Sequence, residues 1–163
     1  MESQWIEKLA ILELCARYCQ TIDSQDSDGW ADCFVEGGTF EFDGWAIRGR
    51  AALREYAEVH ARHMRYRHMT LNCLYEVDGD RATGRATTVV TLATEGGFKI
   101  LGQGGYQDRL VKFDGRWLID LRRLRSDYLV SDPDKSVMLA DPDVAKLVSN
   151  LLEAARRLGQ RVG

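Results

Sequence analysis

The chain has 163 residues, of which 45% are hydrophobic and 29% charged, and its formal net charge is −3. That length suits one domain with a single core, and the composition excludes an intrinsically disordered chain. The mild charge argues against a dedicated nucleic-acid-binding protein, which normally carries a strong basic patch. The short basic run at Arg122, Arg123 and Arg125 is interpreted as one exposed face of a strand.

No apolar run approaches the roughly 20 residues that a membrane-spanning helix needs, and the first residues do not match a secretory signal. We therefore expect a cytoplasmic protein without a membrane partner. The cysteines Cys15, Cys19, Cys33 and Cys73 lack the further Cys/His spacing of a zinc site. Reduced, buried thiols and no metal site are predicted.

Two neighbouring apolar rows predict a first helix over 4–22. One row is Trp5, Leu9, Leu12, Ala16 and Cys19, and the other is Ile11, Cys15, Tyr18 and Ile22. Because the combined stripe is wide, we expect a large element, such as a sheet, to cover it. A turn-rich segment follows, and Ser27 is predicted to cap a short helix over 28–34.

Gly37 and Gly38 are predicted to end that helix, and a hairpin with strands over 39–43 and 45–48 is expected next. A third helix is predicted over 50–63. The apolar period then changes from 3.6 to 2, which predicts long strands over 67–77, 81–94, 99–113 and 116–127. This order indicates an α+β fold with helices packed on one face of a curved antiparallel sheet.

The C-terminal part contains loop signals at Asp132 and Asp141, each followed by proline, and Pro142 is predicted to begin a last helix. Its apolar stripe covers either the open mouth of the sheet or a neighbouring subunit. We assign residues 1–130 to the main domain. Residues 131–163 form an extension that belongs to the same domain or makes an oligomer contact. A homo-oligomer, dimer or trimer, is expected.

Three residues offer the candidate chemistry: Tyr18, Asp23 and His68. His68 begins a strand whose successive side chains alternate between two faces. The face that carries His68 is polar at that end and the other face is apolar, so the polar face lies against either water or a cavity. An imidazole that donates one N–H to a buried carboxylate is fixed in one tautomer, and its other nitrogen can accept a proton. Tyr18 would donate to a developing oxyanion or to a departing hydroxyl. Each residue also fits a purely structural role.

At these residues the chain resembles the SnoaL-like branch of the NTF2-like superfamily, over roughly 5–130. The resembling segments are 18–23, 30–34, 49–53, 68–72, 105–108 and 114–119. The resemblance implies a cone-shaped α+β barrel, also described as a cystatin-like roll. In that fold a curved sheet wraps around a long helix, and a pocket opens at one end.

Within that branch the chain is similar to bile-acid 7α-dehydratase, scytalone dehydratase and hexachlorocyclohexane dehydrochlorinase. These are cofactor-free eliminating enzymes with a His–Asp pair, and the resemblance assigns that pair to Asp23 and His68. Tyr18 matches a tyrosine of the bile-acid enzyme. Scytalone dehydratase has a second histidine on the next strand, where this chain has Thr87, Thr88, Val89 and Val90. The scytalone dehydratase mechanism therefore does not apply in full to this chain.

The prediction is a cofactor-independent lyase that acts on a hydrophobic cyclic or polycyclic hydroxy-carbonyl compound. Strand parity and the resemblance place the pocket walls at Phe42, Trp45, Asn72, Tyr106 and Arg125. Two alternatives stay open. One is an isomerase or polyketide cyclase on the same dyad, and the other is a non-catalytic module that binds a small ligand.

Overall fold

The computed structural model describes residues 2–61, 65–94, 97–127 and 142–162. The helices are α1 (Glu2–Asp23), α2 (Ser27–Ala31), α3 (Arg50–Ala61) and α4 (Pro142–Leu158). The strands are β1 (Phe34–Phe42), β2 (Trp45–Arg48), β3 (Arg65–Asp78), β4 (Arg81–Thr94), β5 (Gly97–Phe113), β6 (Arg116–Ser126) and β7 (Gly159–Arg161). The predicted loops at Asp132 and Asp141 lie outside the described residues.

The described strands form one sheet in the order β3-β4-β5-β6-β1-β2-β7. Strands β3, β4, β5 and β6 pair in chain order as antiparallel neighbours, as the sequence predicted. The pairing of β1 with β6 is parallel instead. No hairpin joins these two strands, so nothing in the local sequence sets their relative direction. The predicted α+β fold, with N-terminal helices, a curved sheet and a C-terminal helix, is confirmed.

Helix α1 supplies one side of the core. Its second predicted row is buried, with Ile11, Cys15, Tyr18 and Ile22 each at most 5% exposed. The first row is not covered as predicted, because Trp5 is 66% exposed and Leu9 is 64% exposed. The sheet therefore covers a narrower stripe of α1 than the sequence indicated.

Strand β1 begins earlier than predicted, at Phe34. The expected second helix is correspondingly shorter, and Asp26 rather than Ser27 caps it, accepting a hydrogen bond from the Gly29 amide at 2.8 Å. Gly38 lies within the strand at a register shift. A Cβ at Gly38 would lie 2.9 Å from the Ile119 carbonyl oxygen, so this glycine permits a close approach of β1 to β6 instead of ending an element.

Strand β3 changes its inward face at Asn72. The register with β4 shifts between Leu71 and Leu74, and Asn72 has a positive φ of 52°. Before this bulge the inward side chains include His68 and Thr70. At the bulge Asn72 is exposed, and after it Tyr75 is the buried residue. A bulge inserts an unpaired residue and so inverts the side-chain alternation along a strand.

Helix α4 packs against α3 and β2, and the short strand β7 that follows it pairs with β2. No pattern in the sequence predicted β7. Buried residues of α4 include Val144, Leu147, Val148 and Leu151. Of the two predicted roles for this stripe, covering the open side of the sheet is the one that the described contacts support. None of the described helices is long and apolar enough to span a membrane.

Candidate functional site

The end of α1 and the inner face of β3 meet at a hydrogen-bonded pair. Asp23 Oδ1 lies 2.7 Å from His68 Nδ1. The same carboxylate accepts the backbone N–H of His68, at 3.1 Å to Oδ1 and 3.0 Å to Oδ2. These contacts fix both the ring and its strand against the carboxylate. Nδ1 therefore carries the proton that is donated to Asp23, and Nε2 is the nitrogen on the opposite side of the ring.

The pair is shielded from bulk solvent. The side chains of His68 and Asp23 are 9% and 8% exposed. His68 lines an internal cavity, whereas Asp23 lies behind the ring and does not line it. Tyr18 also lines the cavity, so the structure brings the three predicted residues to one place. Asp23 and Tyr18 do not converge directly, because Asp23 is the last residue of α1 and reaches the cavity only through His68.

The cavity has a volume of about 110 Å³. Its walls are rich in aromatic side chains, and besides Tyr18 they include Trp30, Phe40, Phe42, Tyr56, Tyr66 and Tyr106. Val148 and Leu151 of α4 complete one side. A concave apolar space with a few polar groups is the usual form of a small-ligand site.

Tyr18 and Tyr106 pack edge to face, with ring centroids 6.0 Å apart, and Thr88 lines the same cavity. Burial, together with the neighbouring Tyr106, raises the pKa of Tyr18 well above its ordinary value. Burial likewise raises the pKa of Tyr106. Both phenols therefore stay protonated through the physiological pH range and act as hydrogen-bond donors rather than as acids.

Arg122 lies between the two tyrosines. Its guanidinium carbon is 4.3 Å from the Tyr18 ring centroid and 4.2 Å from the Tyr106 ring centroid, a double cation–π arrangement. Asp108 accepts two hydrogen bonds from it, from Nε at 2.9 Å and Nη2 at 2.8 Å. Although burial opposes the charge, Asp108 raises the pKa of Arg122 well above its ordinary value. A permanent positive charge is thus held behind the phenols that line the cavity.

The interpretation of the basic run as an exposed strand face is wrong for Arg122, whose side chain is 0% exposed. Along β6, Arg122 and Leu124 face inward, and Leu124 lines the cavity. Alternation along β6 places the adjacent residues Arg122 and Arg123 on opposite faces of the sheet. On β5, Asp108 is the register partner of Arg122. The sequence alone did not show that register.

Of the five predicted wall residues, Phe42 and Tyr106 line the cavity and the other three do not. Asn72 and Arg125 line a separate depression on the outer face of the sheet, because the bulge turns Asn72 outward and Arg125 lies on the same side of β6 as Arg123. Trp45 is half-buried on β2, with the Arg161 guanidinium 5.4 Å from its ring centroid. These three assignments are corrected accordingly.

Sequence reasoning missed several wall residues, among them Trp30, Tyr56, Tyr66 and Leu151. Trp30 and Tyr56 lie within the predicted second and third helices, but nothing local distinguishes a core aromatic from one that lines a cavity. Within the described part of the chain, no group of three or more His, Cys, Asp or Glu side chains is arranged to hold a metal ion.

Family comparison identifies this architecture. The family model of the SnoaL-like domain matches residues 5–123. The chain belongs to the SnoaL-like family. The prediction from the sequence resemblance is thereby confirmed, and the NTF2-like, cystatin-like fold is shown. A comparison with curated proteins found no match.

Solved structures agree with the family. Rv3472, a protein of unknown function from Mycobacterium tuberculosis solved as an Asp→Asn variant, is 64% identical over 99% of this chain and 96% of that chain, with a TM-score of 0.92. A candidate scytalone dehydratase from Novosphingobium aromaticivorans is 25% identical, covers 78% and 89% of the two chains, and has a TM-score of 0.71. A protein of unknown function with a cystatin-like fold from Nostoc punctiforme is 23% identical, covers 75% and 92%, and has a TM-score of 0.68.

The family, the fold and the aromatic cavity together support a small-molecule-binding NTF2-like protein.

Proposed function

We propose that this SnoaL-like protein is a cofactor-independent lyase that eliminates water from a small cyclic hydroxy-carbonyl compound, using His68 as base, Asp23 as its orienting carboxylate and Tyr18 as oxyanion donor. The observation that carries the proposal is the 2.7 Å bond between His68 Nδ1 and Asp23 Oδ1, on a ring that lines an aromatic cavity. The likeness in fold to a protein named as a candidate scytalone dehydratase favours elimination among the reactions of which such a dyad is capable.

The reaction begins with proton transfer to His68. Nε2 takes a proton from the carbon next to the substrate carbonyl, and the electron pair of that C–H bond moves toward the carbonyl oxygen to form an enolate. The positive charge that develops on the imidazole is stabilised by the Asp23 carboxylate. Because that carboxylate also holds the backbone N–H of His68, the ring needs no reorganisation during the step.

Tyr18 donates a hydrogen bond to the enolate oxygen. Its raised pKa makes proton loss unfavourable, so it stabilises the negative charge without giving up its proton. The Arg122 charge behind its ring adds to that stabilisation. The enolate then reforms the carbonyl, the C–O bond to the neighbouring hydroxyl breaks, and the His68 imidazolium protonates the departing oxygen. Water leaves, an α,β-unsaturated carbonyl compound remains, and the base returns to its starting state.

The cavity volume limits the substrate. At about 110 Å³ it is smaller than typical small-molecule pockets, which span roughly 300–1,000 Å³, and it is nearer the roughly 150 Å³ of a cavity that accepts a single benzene ring. A single-ring substrate therefore fits the cavity better than the polycyclic compound that the sequence resemblance allowed. Polar wall groups such as Thr88, Gln103 and Ser126 are available for its oxygen atoms.

The test uses single-ring β-hydroxy ketones incubated with the protein in D₂O and followed by NMR. A wild-type lyase incorporates deuterium next to the carbonyl and produces the unsaturated ketone. His68→Ala and Asp23→Asn are each expected to slow both processes by about 10²–10⁴-fold, and Tyr18→Phe to slow them by about 10²-fold. Asp28→Asn is the matched control, since the Asp28 side chain is 80% exposed and its ion pair with Arg54 lies on the surface.

The outcomes separate the alternatives. Deuterium incorporation next to the carbonyl without loss of water would replace the lyase by an isomerase or cyclase on the same dyad. Ligand binding in a thermal-shift measurement, with neither exchange nor elimination by the wild type, would identify a binding module instead. Full turnover by His68→Ala in a folded protein would exclude the dyad mechanism.

A further inference from the structure

The cavity wall contains a buried hydrogen-bond donor that the proposed mechanism does not use. The Trp30 side chain lines the cavity and is 2% exposed, yet its Nε1 has no hydrogen-bond partner within the described part of the chain. An indole N–H donates and does not accept. A buried donor that stays unpaired costs the full desolvation of that group, which is why most buried donors in proteins have an acceptor. Trp30 therefore lacks the acceptor that a buried indole normally has.

The neighbours of Trp30 explain why the protein leaves this donor unpaired. Its ring packs against the rings of Tyr18, Phe34 and Phe40, with centroid distances of 5.3, 5.1 and 5.9 Å. Packing between aromatic rings fixes the indole without using its N–H. Because Tyr18 is the proposed donor to the enolate oxygen, Trp30 lies beside the group that would hold the substrate carbonyl.

A second wall group is in a similar state. Thr88 is 2% exposed and lines the cavity, and its Oγ1 has no hydrogen-bond partner among the described residues. Its register partners do not supply one, because Gly104 has no side chain and the Thr70 hydroxyl already pairs with Cys19 Sγ at 3.2 Å. Burial raises the pKa of Tyr106 and the Thr88 hydroxyl opposes part of that rise, but the two groups do not meet hydrogen-bond geometry. The cavity thus has more polar groups than the dyad and Tyr18 account for.

We propose that the substrate ring carries a further acceptor oxygen, beyond the carbonyl and the departing hydroxyl, and that Trp30 selects it by donating a hydrogen bond from Nε1. This inference rests on the proposed function, which assigns the other two oxygens to Tyr18 and His68. The hydrogen bond gives the buried indole its acceptor, so a ligand that lacks this oxygen leaves the donor unpaired and binds less tightly. Trp30 is thus a specificity-determining residue of the cavity.

The test compares two single-ring ligands of similar shape, cyclohexanone and cyclohexane-1,4-dione, by isothermal titration calorimetry. Neither ligand carries a hydroxyl that can leave, so binding is measured without turnover. The wild type should bind the dione about tenfold more tightly, the effect of one hydrogen bond to a buried, unpaired donor. Replacement of Trp30 by β-(3-benzothienyl)alanine keeps the fused two-ring shape and puts sulfur in place of the N–H. It should remove most of that preference and leave the affinity for cyclohexanone within about twofold of the wild type.

Trp117 is the matched control, because it is 3% exposed and its Nε1 donates to Glu7 Oε2 at 2.7 Å. The same replacement at Trp117 should keep the preference for the dione. It should also lower the Tm of the unliganded protein, since it breaks that hydrogen bond. The replacement at Trp30 should not lower the Tm, because no hydrogen bond to the protein is lost.

Three results would overturn the role of Trp30. The first is a wild type that binds both ligands equally or binds neither. The second is an unchanged preference for the dione after the replacement at Trp30. The third is a fall in Tm at Trp30 as large as that at Trp117, which would show that its N–H already has an acceptor. Loss of this preference in an active lyase would overturn the inference alone, whereas a preserved preference without turnover would overturn only the proposed lyase.

Discussion

Arg122 and His68 show two different routes by which a single side chain becomes part of this site. His68 and Asp23 were selected from the sequence as reactive groups together with the family resemblance, and His68 Nδ1 lies 2.7 Å from Asp23 Oδ1. Arg122 looked like one member of a solvated basic run. Its role follows only from the register that places it opposite Asp108, and register between strands is set by long-range packing rather than by local sequence.

The buried ion pair between Arg122 and Asp108 predicts a large mutational effect on stability. Both side chains are 0% exposed, and the Tyr75 hydroxyl donates to Asp108 at 2.6 Å. Arg122→Met would leave that carboxylate buried without its positive partner, which costs about 3–5 kcal/mol. The free energy of unfolding, measured by urea titration, should fall by that amount.

The surface pair Arg109–Asp120 provides the comparison for that measurement. Its side chains are 61% and 40% exposed, and its closest N–O distance is 3.1 Å. Arg109→Met should change the free energy of unfolding by less than about 1 kcal/mol, because water already solvates both charges. Equal losses in the two variants would mean that Arg122 is not held as a buried charge.

At the scale of elements, the turns were predictable and the irregularities within strands were not. Asp114 and Gly115 separate two predicted strands and both have positive φ values, which this pair of residue types favours in a tight turn. The bulge at Asn72 carries no comparable marker, yet it decides which residues of β3 face the helix. Gly38 is another example. It was predicted to end a helix, but in the structure it allows β1 to approach β6 closely.

The bulge predicts that two substitutions at Asn72 differ in their effect on the free energy of unfolding. Glycine adopts the observed φ of 52° without steric cost, so Asn72→Gly should change the free energy of unfolding by less than about 0.5 kcal/mol. A β-branched residue is strained there, and Asn72→Val should cost about 1–3 kcal/mol. Urea titration measures both. Leu71→Val, at the neighbouring exposed position, should be nearly neutral, and an equally mild Asn72→Val would show that the bulge is not needed.

On the scale of the whole molecule, the proposed catalytic residues and one side of the cavity wall come from different parts of the chain. Tyr18 and His68 belong to the part matched by the SnoaL-like family model, whereas α4 lies beyond residue 123. The stripe on α4 was predictable from its period, but its position over the cavity depends on packing against α3 and β2. The part of the chain proposed to limit the size of the substrate is therefore partly separate from the residues proposed to carry out the reaction.

Two adjacent leucines of α4 test that separation. Leu151 lines the cavity and Leu152 does not, although they are 6% and 9% exposed. Leu151→Ala and Leu152→Ala should each lower the free energy of unfolding by about 2–5 kcal/mol. Only Leu151→Ala enlarges the cavity itself, so thermal-shift screening should show two-ring ketones stabilising this variant but neither the wild type nor Leu152→Ala. If both variants gained two-ring ligands equally, loosening of α4 rather than the Leu151 side chain would set the size limit.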